Sequence, residues 1–222
     1  MTETVSVTSQ GASPDQAEAR EILESDSGLV LQQVVQPEVG ATIWRRSLSS
    51  GFAEWIGNIP AGQLPALRAL VDFRAVEGCI HAACDLSGLP AGTMRDLLAS
   101  DIGALALIFA QVVRNPLMHL RFEAVTTDAC RKFHVDQMPA RLLCTYRGPG
   151  TQFGLRDASG QVVPAGKMRS GEVAILRGAL WPGEEVTTLL HRSPPIAGTG
   201  EVRLFLALDP AAEPAAEARR LH

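Results

Sequence analysis

The chain has 222 residues, 46% of them hydrophobic, which is enough for one ordinary domain and its core. With 20 Lys+Arg against 24 Asp+Glu the net charge is −4, which excludes wholesale disorder and argues against a nucleic-acid binder driven by bulk charge. Only four cysteines are present, and the opening MTETVSVTSQ lacks the basic and apolar stretches of an export signal. The expectation is a soluble cytoplasmic protein with free thiols and with neither nucleic-acid nor membrane partners.

In chain order, residues 1–27 are polar and read as a disordered tail, with a short helix over Asp15–Glu24 as the one alternative. Residues 28–115 are expected to form a helical N-terminal region. Ser49 and Ser50 offer capping hydroxyls ahead of Phe52, Trp55 and Ile56, spaced three and four apart. Pro65 suits a first helical turn followed by Leu67, Leu70, Val71 and Phe73. Thr93 is expected to cap a long apolar run that repeats at helical spacing from Met94 to Val113, and Asn115-Pro116 stops it. Apolar side chains surround most of this helix, so burial against a sheet is expected.

Beyond Pro116 the pattern changes to short β-runs separated by turns. They are Met118–Val125, Arg131–Asp136, Arg141–Tyr146, Gln161–Val163, Glu172–Leu176, Val186–His191 and Val202–Leu208. Gly148-Pro149-Gly150, Pro182-Gly183 and Gly198-Thr199-Gly200 supply turns. So many strands without intervening helices suggest a barrel or jelly roll. The fold class is therefore α+β, with a helical N-terminal layer packed on a C-terminal double-stranded β-helix over residues 116–209. Residues 210–222, rich in Ala, Glu and Pro, read as a second disordered tail.

The chemistry concentrates in His134-Val135-Asp136 and His191. Residues two apart on a strand share a face, so His134 and Asp136 point the same way. With His191 from a distant strand they make two imidazoles and one carboxylate, the facial set of non-haem Fe(II) oxygenases, which leaves three positions open. The competing reading is a His–Asp hydrogen bond and an unrelated histidine. Arg203 alternates with Val202, Leu204 and Leu206, and a guanidinium aimed into a barrel needs an anion. That anion is either the far carboxylate of an α-keto diacid or an internal acid such as Glu123. Cys79, His81 and Cys84 invite a zinc reading but supply only three local ligands, so buried thiols and an incidental histidine are favoured.

The run His134-Val135-Asp136, Arg141 to Tyr146, Gly148 to Phe153, and His191 through Pro195 to Arg203 resembles the prolyl-hydroxylase-type 2-oxoglutarate oxygenases. More narrowly, HVDQMPARLLCTYRGPGTQF, ILRGALW, HRSPP and RLFLALD resemble the bacterial family called domain of unknown function 1826. That family carries no established activity and has a loose association with zinc-responsive gene neighbourhoods. The resemblance to the oxygenases implies Fe(II) held by His134, Asp136 and His191, with 2-oxoglutarate held by Arg203 and Tyr146. Tyr146 serves equally well as a packing residue of the barrel wall. Arg203 follows His191 by twelve residues where about ten is usual in that family. The implied function is oxidation or hydroxylation of an unknown small-molecule or protein substrate, coupled to conversion of 2-oxoglutarate to succinate. The alternative is a non-catalytic, cupin-like metal-binding module of metal homeostasis, since zinc fits the same three ligands.

Overall fold

The computed structural model describes residues 17–128 and 130–211. Two short strands open it, β1 (Glu18–Ala19) and β2 (Glu21–Ser25), then a 3-10 segment over Gly28–Val35 and β3 (Val39–Trp44). Next come α1 (Ser50–Asn58), β4 (Leu67–Asp72), α2 (Val76–Leu86) and α3 (Thr93–Val113). The remainder is β5 (Leu117–Val125), β6 (Ala140–Arg147), β7 (Gln152–Arg156), β8 (Val162–Lys167), β9 (Val173–Arg177), β10 (Val186–Thr187), β11 (Leu190–Arg192) and β12 (Arg203–Pro210).

Seven strands build a large mixed sheet in the order β2-β3-β9-β6-β12-β5-β4, and three build a smaller antiparallel sheet in the order β11-β7-β8. The helices cover one face of the large sheet. On α3, Leu98, Ile102, Leu105 and Phe109 recur every three or four residues and meet Leu142, Leu206 and Leu208 in one core. Burial of each such side chain contributes about 1.5–3 kcal/mol. The small sheet lies against the other face. There Phe153 of β7 packs with Ala41, Ile43, Ala174 and Leu176 of the large sheet, making a second core between the sheets. Alternation sorts each strand between the two cores. Leu142, Cys144 and Tyr146 of β6 face the helices, while Leu143 faces the small sheet.

By length and composition α3 would suit a membrane span, yet one side of it is core. It ends where Arg114 takes a left-handed conformation (φ 52°) and the Asn115 side chain accepts from the Leu117 amide.

The N-terminal half supplies those helices but is not helical throughout. Strands β2 and β3 lie at one edge of the large sheet and β4 at the other, where β4 pairs antiparallel with β5. The expected helix after Pro65 is strand because Leu67 and Val71 join the helix-side core while Arg68 and Leu70 face out, a period of two. Residues 17–27 are not a tail, since β1 pairs with β10 and β2 pairs parallel with β3. The expected helix over Asp15–Glu24 is extended from Glu18 on. The remainder of that call and of the first tail, residues 1–16, lies outside the described residues, as does the second tail from residue 212. Pro210 and Ala211 belong to the folded body, where the Ala211 amide donates to the Leu117 carbonyl. The expected strand Arg131–Asp136 is reduced to one bridge at His134, and Val186–His191 is split into β10 and β11.

Candidate metal centre

His134 and His191 face each other across that bridge. The His134 amide donates to the His191 carbonyl and the His191 amide to the His134 carbonyl, both at 3.0 Å. In such an antiparallel pair the two side chains stand on one face, and here the imidazole centroids are 4.5 Å apart. Asp136, two residues on, reaches both rings. Its Oδ1 lies 3.4 Å from His134 Nε2 and its Oδ2 lies 3.1 Å from His191 Nε2. One donor atom from each of the three falls within 4.8 Å of the others, the only such group of His, Cys, Asp and Glu among the described residues.

These separations fit an ion. Ligand bonds of about 2.1 Å put neighbouring ligand atoms about 3 Å apart. The tautomer fits as well. His134 Nδ1 lies 2.8 Å from the Lys132 carbonyl, so Nδ1 carries the proton and Nε2 offers its lone pair. Burial alone would raise the Asp136 pKa, but the hydrogen bond and charge of His191, followed by the charges of Arg141 and His134, outweigh it and hold the carboxyl below its ordinary value. The carboxylate that an ion there would need is thus kept ionised.

Arg141 is the residue that sequence reasoning left without a role. Its Nη1 donates to Asp136 Oδ2 at 2.8 Å, and its Nε and Nη2 grip both oxygens of Asp209 at 2.6 and 2.7 Å. The available signal is alternation: Arg141 on β6 and Asp209 on β12 both point away from the helix-side core, on strands paired in this register. A glycine sets the backbone beneath. The Gly178 amide donates to Pro139 and the Ala179 amide to the Asp136 carbonyl, and a Cβ on Gly178 would meet the Met138 carbonyl oxygen at 1.9 Å.

Arg203 starts β12 on the same face as Phe205, Ala207 and Asp209, so it points between the sheets as expected. Only 3% of it is exposed. Its Nε donates to the Pro149 carbonyl at 2.7 Å, and Nη2 lies 3.4 Å from Thr145 Oγ1. No carboxylate pairs with it among the described residues, and burial pushes its pKa down to about 10. The internal partner considered for it, Glu123, is engaged by Arg68 and Arg121 instead.

Tyr146 does not join this group. It lies on the helix face of β6, and its hydroxyl donates to Asp101 Oδ2 of α3 at 2.5 Å. The reason is strand parity, since Tyr146 and the inward-facing Thr145 are neighbours. The cysteine positions are equally quiet. Cys144 is buried and its thiol is pushed up to about 12, chiefly by desolvation. On α2, Cys84 is buried, and His81 Nδ1 lies 4.0 Å from Asp96 without forming a ligand cluster.

The family model described as "Protein of unknown function (DUF1826)" matches residues 25–209. The chain belongs to the DUF1826 family. No curated protein matches it. Among solved structures, this DUF1826 protein is similar to a rice dioxygenase for auxin oxidation, with TM-score 0.54 and 12% identity, covering 88% of this chain and 84% of that one. It is also similar to the Arabidopsis thaliana dioxygenase for auxin oxidation 1 in its 2-oxoglutarate binary complex. There the TM-score is 0.53 with 11% identity, over 87% of this chain and 93% of that one. A Pseudomonas putida prolyl-4-hydroxylase aligns at TM-score 0.42 with 12% identity, over 83% and 94%. At these identities the two auxin dioxygenases show a shared fold, the jelly roll of 2-oxoglutarate oxygenases, and nothing finer.

Proposed function

We propose that this DUF1826 protein is an Fe(II)- and 2-oxoglutarate-dependent oxygenase acting on a substrate that its sequence does not name. The observation that carries the reading is the convergence of His134, Asp136 and His191 donor atoms within 4.8 Å, beside a sheet whose inner face also presents a buried guanidinium without an acid partner. Two imidazoles and one carboxylate leave room at an ion for a chelating cosubstrate and dioxygen. When bound, iron with 2-oxoglutarate supplies oxidation of a substrate by dioxygen, with carbon dioxide and succinate as coproducts.

The chain's own residues do the positioning. The Lys132 carbonyl fixes the His134 tautomer. Arg141, itself locked by Asp209, occupies one oxygen of Asp136 and so favours ligation through the other, which preserves the open positions. Arg203 and Thr145 would hold the distal carboxylate of the cosubstrate by charge-assisted hydrogen bonds.

Anaerobic titration tests the proposal. One Fe(II) per chain is expected, followed by a charge-transfer band on adding 2-oxoglutarate. The band should vanish in Arg203→Met, and metal uptake should vanish in His134→Ala while the fold survives. Tight zinc binding with no response to 2-oxoglutarate would overturn the oxygenase in favour of a metal-binding module, and absence of stoichiometric metal would overturn both.

A further inference from the structure

Two cavities meet beside the Asp209–Arg141–Asp136 chain of ion pairs. The larger, about 1010 Å³, is walled chiefly by Val112, Val113, Met138, Leu180 and Trp181, with Arg114 and Asn115 at its rim. The smaller, about 400 Å³, lies over the open face of β4 and β5 and is lined by Arg68, Leu70 and Arg121. His119 and Asp209, partners in the β5–β12 register, line both. The segment Gln137–Pro139, which follows ligand Asp136 directly, forms part of the larger wall.

Among the described residues the arginines around this double cavity outnumber the acids that pair with them. Arg68 and Arg121 share one carboxylate, Glu123. Arg121 also lies over the Phe205 ring at 5.6 Å, and its Nε is buried without a hydrogen-bond partner among the described residues. Asp209 is held at both oxygens by Arg141, so it adds no free negative charge. Arg114 has no ion-pair partner among the described residues. A guanidinium with a buried N–H, lining a cavity that shares His119 and Asp209 with an apolar chamber, is matched by an anionic head on an apolar body.

We propose that the two cavities form one substrate channel for a small organic acid with an apolar body. The acid group sits at Arg121 and the body lies in the larger chamber, passing His119 and Asp209. That the occupant is a substrate rests on the oxygenase reading; that it binds does not.

Calorimetric titration of the full chain tests this, with octanoate and 4-phenylbutyrate as probes and octanol and octylamine as controls. Saturable binding of the acids is expected, at least tenfold tighter than octanol. Arg121→Gln should weaken the acids about tenfold or more and leave octanol unchanged, whereas Arg121→Lys should retain most of the affinity. Should Arg121→Gln fail to fold, Val113→Trp, which fills the larger chamber, should weaken 4-phenylbutyrate by the same factor. Equal affinity for octanoate and octanol, or no binding by any acid, would overturn the proposal. So would displacement of octanoate by 2-oxoglutarate in wild type but not in Arg203→Met, because the channel would then be the cosubstrate's. Acid binding that persists in His134→Ala is expected. Acid binding by a wild-type chain that takes up no Fe(II) would sink the oxygenase and leave the channel, whereas metal and 2-oxoglutarate binding by wild type without acid binding would do the reverse.

Discussion

Arg141 and Arg203 show how one side-chain type serves two ends by its company. Arg141 is a bridge between two buried carboxylates, so removing it leaves Asp136 and Asp209 facing each other without a cation. Arg141→Ala should therefore cost about 3–5 kcal/mol in denaturant unfolding and weaken metal binding by about 10–100-fold in a competition titration. Arg203 is the opposite case, a buried cation whose partners among the described residues are a carbonyl, a hydroxyl and the face of the Phe205 ring, with no acid. Its folded pKa is depressed, so in the charged state it costs the fold free energy. Below about pH 10 the group is charged in both folded and unfolded states, and that cost is fully present. Arg203→Met should raise stability by about 1–2 kcal/mol, evenly from pH 6 to pH 9, while abolishing 2-oxoglutarate binding. A destabilised Arg203→Met protein would mean that the guanidinium is structural. Tyr146 makes a third case: Tyr146→Phe loses the bond to Asp101 and should cost about 1 kcal/mol with metal and cosubstrate affinities unchanged.

The element that carries the site is the least regular one. Between β5 and β6 the described residues form no strand, yet the segment holds His134 by one bridge to β11 and Asp136 by its carbonyl bond to the Ala179 amide. Sequence periodicity could place His134 and Asp136 on a common face because two residues of extended backbone suffice for that. It could not show that the segment lacks a ladder, since extended chain reads alike with or without partners. The same limit explains β4. The sequence Leu67–Phe73 fits a helical stripe at Leu67, Leu70 and Val71, and only the free edge of β5 decides for a strand. By contrast α1 and α3 were legible because their apolar spacing, and for α3 its stop at Asn115-Pro116, act within the segment. Arg203 was legible through parity alone, and by parity Tyr146 should have been excluded. Gly178 tests how tightly this irregular segment is held. Gly178→Ala drives a Cβ into the Met138 and Asp136 carbonyls. It should destabilise by about 1–3 kcal/mol and lower metal affinity, although residue 178 touches no ligand side chain. Unchanged metal binding in that variant would show that the ligand segment sits on its own bonds.

At the scale of the molecule the two cores divide the labour. The helix-side core is large and apolar, and it fixes β6 and β12 with their inward row of Arg141, Thr145, Arg203 and Asp209. The inter-sheet core is small, and on its small-sheet side the strands are short, with β11 spanning only Leu190–Arg192. His191 thus comes from the weaker layer, while Asp136 is braced by the stronger one through Arg141. An ion bound to both would join the layers. Metal at a hundred times its dissociation constant should then stabilise the fold by about 2.7 kcal/mol. In a chain of this length that corresponds to a rise in Tm of about 5–10 °C. Hydrogen exchange should place the gain in β7 and β11, where opening no longer occurs without losing the ion, rather than in α3. A uniform gain across both layers, or a gain that survives in His134→Ala, would show that the ion binds elsewhere and that the layers are not coupled through His191.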